Sequence, residues 1–230
     1  MRLYVMQLGL GGGGSPVPGY LIQTDDGQNV LVDTGYPPQD YIGPEARLPE
    51  SDFVVNRLRE IGLSPDDIDY VVATHLDVDH AGSHDLFPKA QFIVQDEHLS
   101  AAREMPRFQG IRAHWEHPSL NYRTVDGDTE LLPGIELIES SGHVPGHQSV
   151  LVRLPQTGPV LLAIDAIPRD FTGYAPEERP TGQYDNDVEG TRRSTRKLVD
   201  LAEREGVAFT IRGHDADQWK QLKKSPEYYE

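Results

Sequence analysis

A chain of 230 residues suits one domain, and it is long enough to bury a core without disulfides or a structural metal to hold it together. Its formal charge of −16 argues against a phosphate-backbone partner, which would call for a basic face. The absence of cysteine removes thiolate ligands, cysteine nucleophiles and disulfides at once.

The elements follow in chain order. LYVMQLGL near the N-terminus reads as a strand, with neither the basic start nor the long apolar run of a signal peptide. The GLGGGG that follows contains the spacing of a dinucleotide fingerprint, Gly9, Gly11 and Gly14. Ser15-Pro16-Val17-Pro18 comes next, so no helix N-terminus is available for a phosphate, and the glycines read as a loop near a substrate mouth or as a plain hairpin loop. YLIQTDDGQNVLVDTG predicts a hairpin turning at Asp26-Gly27. Residues 51–62 predict a helix with a Ser or Asp cap and a Gly stop, and IDYVVATH a buried strand. HAGSHDLFP opens a further helix, which puts His84 one turn after His80 on the same face. AQFIVQ is a strand and EHLSAARE a short helix.

Residues 106–121 are mixed in character and read as an irregular loop or lid, with His114, Trp115 and His117 available to line a pocket. NYRTVDGDTELLPGIELIES gives strands with a turn at Asp126-Gly127, and SVLVRLPQTGPVLLAIDA gives a hairpin. A second irregular stretch, 168–187, precedes a helix over 188–205 whose Arg192, Arg193, Arg196 and Lys197 read as a solvated face. VAFTIRGHD ends the series as a strand and loop. Strands in two sets, each followed by helices, predict two sheets packed face to face with helices outside. No apolar run approaches membrane-span length, and the cysteine-free composition fits a reducing, cytoplasmic compartment.

Donor atoms collect where strands end. ATHLDVDHAGSHDLFP, residues 73–88, carries His75, Asp77, Asp79, His80, His84 and Asp85. His143 and His147 in SSGHVPGHQS, Asp165 in LLAIDA and His214 in RGHD each follow another short apolar run. Imidazole suits Zn, Fe, Co and Mn, and carboxylate suits the harder of these. An aspartate can also bridge two cations, so the set predicts a dinuclear site.

With these motifs, LVDTG, THLDVDHAG, SGHVPGHQSVLV, LLAIDA and GHDADQWK…SPEYY, the chain resembles the metallo-β-lactamase superfamily and, within it, the N-acyl-homoserine lactonases. The resemblance spans nearly the whole chain. It implies an α/β (α+β) fold, the αββα sandwich of two mixed β-sheets, with residues 1–230 as one hydrolase domain. It implies two divalent metal ions. His75, Asp77 and His143 would hold one, Asp79, His80 and His214 the other, and Asp165 would bridge them. Asp33 would orient a ligand from outside, with His147 a structural neighbour. The implied reaction is opening of a lactone ring by a metal-bridging hydroxide, with Asp79 passing a proton to the leaving oxygen. A homodimer is implied as well.

Two departures from the family pattern stand out. Asp77 occupies the place of the motif's second histidine, which adds a negative charge and favours Mn, Fe or Co over Zn. No tyrosine follows Asp165, where the lactonases place one against the substrate carbonyl, so Tyr174, Tyr184 and Trp115 become the expected substrate contacts. The expected substrate is a small lactone, an N-acyl-homoserine lactone first and another lactone or carboxylic ester second. Asp77 also raises a di-iron or di-manganese redox protein of the same fold as an alternative.

Overall fold

The structure, a computed structural model, describes residues 1–38, 43 and 45–230. Strands β1 (Arg2–Leu10), β2 (Pro16–Gln23) and β3 (Asn29–Val32) open the fold as an antiparallel meander. Helix α1 (Val54–Glu60) leads to β4 (Tyr70–Val72), and α2 (Val78–Ala81) to β5 (Gln91–Gln95). Helices α3 (Asp96–Glu104) and α4 (Arg112–Trp115) precede β6 (Asn121–Val125). Strands β7 (Thr129–Leu132), β8 (Ile135–Glu139), β9 (Gln148–Leu154) and β10 (Gly158–Ile164) follow. The chain ends with α5 (Val188–Glu205), β11 (Phe209–Arg212), α6 (Ala216–Trp219) and β12 (Tyr228–Tyr229).

Among the described residues one sheet runs β12-β1-β2-β3-β4-β5-β6 and the other β11-β10-β9-β8-β7. Both are mixed. The first turns parallel from β3 to β6, and the second only where β11 joins β10. Period-two side chains explain the layers. Val30, Val32 and Val72 point into the core between the sheets, where they meet Val150, Val152, Val160 and Leu162. Leu31 and Val71 face the other way, onto Val54 and Leu58 of α1. Across the molecule, Leu151, Leu161 and Ala163 face Leu198 and Leu201 of α5. Each sheet is thus buried on both faces, which is why its central strands read as unbroken apolar runs rather than alternating ones. This is the expected αββα sandwich.

The expected turn at Asp126-Gly127 passes between sheets, β6 belonging to one and β7 to the other, while two other local expectations change. Gln95 holds the crossing, accepting from the Gly127 amide at 2.9 Å and donating to its carbonyl at 3.0 Å. The lid predicted over 106–121 is an ordered outer layer. A 3-10 helix at Pro106–Ile111 runs into α4, and Phe108, Ile111 and Trp115 pack on Leu76, Val94 and Leu99. Trp115 is fully buried and its Nε1 donates to the Phe108 carbonyl at 3.1 Å. Trp115 is therefore core, not a pocket wall. The second change concerns the helix after His75, which is a single turn.

His84 falls in a separate 3-10 turn, His84–Leu86, and is fully buried. Its ring lies 4.9 Å from that of Phe92. Its Nδ1 donates to the Tyr122 hydroxyl at 3.2 Å, whose own proton goes to the Trp115 carbonyl. Burial first, and then the nearby His114 and His80, pull the His84 pKa down to about 3. An unfolded histidine titrates near 6.5. Between these values the unfolded chain binds a proton that the fold excludes, so stability is lost as pH falls, by up to about 1.4 kcal/mol per pH unit. His84→Phe keeps a ring and removes the titration. Denaturant unfolding from neutral pH down to about 4 should show a shallower acid dependence in that variant. An unchanged slope would contradict this account of His84.

Candidate metal centre

The site lies where strands end and backbones bend. Thr74 and His75 follow β4, Asp77 stands at the N-terminus of α2, and Asp79 and His80 lie within it. His143 and His147 come from the β8–β9 connection, Asp165 directly follows β10, and His214 follows β11. Ile164, just before Asp165, has φ 51°, a left-handed conformation that strains a β-branched residue. The β10–β11 register shifts at this point, and the bend aims Asp165 into the cluster. Gly213 makes room for it. A Cβ there would lie 2.7 Å from Asp165 Oδ1.

Three donor groups converge: His75, Asp77 and His143; Asp79, His80 and His214; and His75, His80 and Asp165. Within each, the ligand atoms all lie within 4.8 Å of one another. The two oxygens of Asp165 divide between the first two groups. Oδ2 is 3.3 Å from His143 Nε2 and 3.8 Å from His75 Nε2. Oδ1 is 3.0 Å from His214 Nε2 and 3.8 Å from His80 Nε2. His80 Nε2 is buried with no hydrogen-bond partner among the described residues, and His75 Nε2 and Asp165 Oδ1 meet only other members of the cluster, Asp77 Oδ2 at 3.2 Å and His214 Nε2 at 3.0 Å. An unpaired buried polar atom costs about 1–3 kcal/mol. Imidazole nitrogens and carboxylate oxygens gathered in this way fit two divalent cations, which would satisfy them all.

The far nitrogens of the same imidazoles are held from outside. His80 Nδ1 lies 2.8 Å from Asp33 Oδ2, and Asp33 also accepts from the Thr74 amide at 3.0 Å and its hydroxyl at 2.7 Å. Thr74 Oγ1 is 3.1 Å from His75 Nδ1. His214 Nδ1 donates to the Pro16 carbonyl at 2.8 Å, and His143 Nδ1 lies 3.1 Å from Asp185 Oδ1. Every cluster histidine therefore turns Nε2 inward, the arrangement by which surrounding groups fix ligand orientation. Asp33 itself takes φ 59° at the end of β3, so a strained backbone serves this role too. His98 is fully buried and accepts the Leu76 amide on Nε2 at 2.9 Å, fixing the backbone between His75 and Asp77.

Asp77 has a partner that local sequence gave no means of finding. Arg107 grips the carboxylate at two points, Nε to Oδ1 at 2.6 Å and Nη2 to Oδ2. The same Nη2 lies 2.9 Å from His143 Nε2. Burial works against charge on Asp77, but His143, His75 and Arg107 outweigh it and hold its carboxyl well below the ordinary range. Asp165 is held low in the same way by His214, His143 and His80.

The remaining expected site residues lie further out. His147 is buried beside His75, ring centroids 5.1 Å apart, with Nδ1 2.9 Å from Ser140 Oγ, and it belongs to none of the three groups. Tyr174 and Tyr184 are exposed, 54% and 66%. Only Tyr184 is tied to the cluster, through its carbonyl, which accepts from Arg107 Nη1. Trp115 is excluded by its burial, His114 turns to Asp85 at 2.7 Å, and His117 turns to Ser119. The run after Asp165 supplies backbone instead of a tyrosine. The Ile167 and Pro168 carbonyls accept the amides of Gly213 and His214 at 3.2 and 2.7 Å, and so position His214.

The geometry agrees with known proteins. Residues 12–214 match the profile of the metallo-beta-lactamase superfamily. The chain is 34% identical to an N-acyl homoserine lactonase of Bacillus sp, covering 93% of this chain and 86% of that one. It is 35% identical to N-acyl homoserine lactonase AttM of Azorhizobium caulinodans, covering 94% and 88%. A solved N-acyl homoserine lactone hydrolase with N-hexanoyl-L-homoserine bound at its catalytic metal center superimposes with a TM-score of 0.86 at 30% identity. That match covers 99% of this chain and 98% of the other.

Burial opposes charge on His80, yet Asp79, Asp33 and Asp165 overcome it and raise its pKa to about 10. Near neutral pH the metal-free ring therefore carries a proton, and a cation at Nε2 must expel it. Metal uptake should release at least one proton per chain, and affinity should rise with pH up to about 10. Calorimetric titration in buffers of different ionisation enthalpy measures this. Uptake without proton release would contradict the assignment of His80 as a ligand.

Proposed function

The chain belongs to the metallo-beta-lactamase superfamily, and we propose that it is a metal-dependent hydrolase that opens the ring of N-acyl homoserine lactones, a quorum-quenching lactonase. One observation carries the proposal: Asp165 turns one carboxylate oxygen to each of two donor triads. This stands in a chain 34–35% identical to N-acyl homoserine lactonases over more than nine-tenths of its length. In this reading residues 1–230 act as a single hydrolase domain.

His75, Asp77 and His143 would hold one cation, Asp79, His80 and His214 the other, with Asp165 common to both. Two divalent cations would supply there an activated water and a Lewis acid for the lactone carbonyl. The charge that Asp77 adds favours Mn, Fe or Co over Zn. Asp33, through His80, fixes the geometry of the second triad. Asp79 is the proton carrier. Its side chain is 21% exposed, and its Oδ2 lies 3.7 Å from His80 Nε2 and 3.8 Å from His214 Nε2, at the open side of the cluster. As the ring C–O bond breaks, Asp79 passes the leaving oxygen a proton, giving an alcohol and a carboxylate. Ring opening thus releases one proton per turnover near neutral pH.

Tyr184, exposed beside Arg107, is the proposed substrate contact in place of the tyrosine missing after Asp165. Tyr174 is a second, from the same irregular segment. His147 supports His75 from behind. No helix of the described residues is long and apolar enough to cross a membrane. A cytoplasmic location, which the absence of cysteine fits, and a homodimer complete the proposal.

Proton release during hydrolysis tests the function. Protein loaded separately with Zn, Mn, Co or Fe is offered short- and long-chain N-acyl homoserine lactones beside simple γ- and δ-lactones. Turnover should vanish on chelation and return with metal. Asp165→Asn and His80→Ala should each lower it by about a thousandfold or more. Near-normal rates in either variant, or no proton release by protein holding two ions, would contradict the proposal.

A further inference from the structure

Arg107 sits where the first cation has to go. Its Nη2 contacts Asp77 Oδ2 and lies 2.9 Å from His143 Nε2, so one guanidinium nitrogen engages two donor atoms of the triad His75, Asp77 and His143. Nε takes the other oxygen of Asp77 at 2.6 Å, leaving neither oxygen of that carboxylate free. The partner triad has no such guest. Arg107 makes no hydrogen bond to Asp79, His80 or His214 among the described residues, and His80 Nε2 has no hydrogen-bond partner there, so a cation displaces only a proton from it. Both sides of the ion pair are largely sheltered, with side chains 24% and 13% exposed. Water therefore screens the pair less than it would a surface salt bridge, and two-point guanidinium–carboxylate contacts are among the stronger ones. The guanidinium also has somewhere to retreat, because its Nη1 already bonds the Tyr184 carbonyl on the irregular segment.

We propose that Arg107 is a built-in competitor for the first metal position: it neutralises Asp77 and blocks His143 until a cation displaces it. The two positions are then unequal. The triad Asp79, His80 and His214 fills first and tightly. The triad His75, Asp77 and His143 fills second and more weakly, because its cation must first break the Arg107 pair. The pairing also accounts for the carboxylate at position 77. Asp77 and Arg107 together are neutral, as a lone histidine would be, so the metal-free pocket carries no added charge. The second cation doubles as a switch, since binding it frees a guanidinium beside Tyr184, at the edge of the proposed substrate site. The inference rests on the metal-centre reading given above.

Calorimetric titration of metal-stripped protein with zinc and, separately, manganese tests it, with bound metal counted by elemental analysis. Wild type should bind two ions in two steps, and His143→Ala should lose the weaker one. R107M should tighten that weaker step by about tenfold or more and leave the stronger step unchanged. R107K keeps the charge and loses the two-point fork, so it should fall between them, and it carries the test if R107M does not fold. Two ions bound with R107M and R107K indistinguishable from wild type would overturn the competition while leaving the metal centre intact. Less than one ion bound by wild type and variants alike would overturn both.

Discussion

The site is organised by the cost of crowding carboxylates in a buried place. Asp77, Asp79 and Asp165 converge among four imidazoles at the ends of apolar strands, with Asp33 directly behind His80. Negative charge so sheltered from water is tolerated only when paired or coordinated. The protein meets that demand with histidine nitrogens and, at Asp77, with Arg107. Cations would satisfy it more completely, since His80 Nε2 has no hydrogen-bond partner among the described residues.

The fold supplies rigidity for that arrangement. Sheets covered on both faces fix where strands end, and strand ends deliver most of the cluster's donor side chains. The strain at Asp33 and Ile164 falls where a side chain must be re-aimed into the cluster. A packed frame can sustain such local costs of about 1–3 kcal/mol each.

Much of this was legible in the sequence because the relevant signals are local. Short apolar runs marked the strands, Asp26-Gly27 marked its hairpin, and α5 took the bounds expected of it. The donor set could be read because each member closes a short apolar run. Relations between distant residues were not legible. Nothing near Arg107 indicates that it reaches Asp77 thirty positions earlier. The aromatic and histidine content of 106–121 resembled a lid, but its alternation of Phe108, Ile111 and Trp115 is that of a helical layer over a core. Tertiary packing also overrode the reading of His84, which turns inward because its helix ends before it. The Asp126-Gly127 turn looks the same whether its flanking strands share a sheet or change sheets.

The central claim is that one carboxylate, Asp165, joins two metal positions. Anomalous diffraction from crystals of metal-loaded protein tests it most directly. The account predicts two peaks, one among His75, Asp77 and His143 and one among Asp79, His80 and His214, each beside a different oxygen of Asp165. A single peak at saturating metal, or peaks away from Asp165, would contradict it.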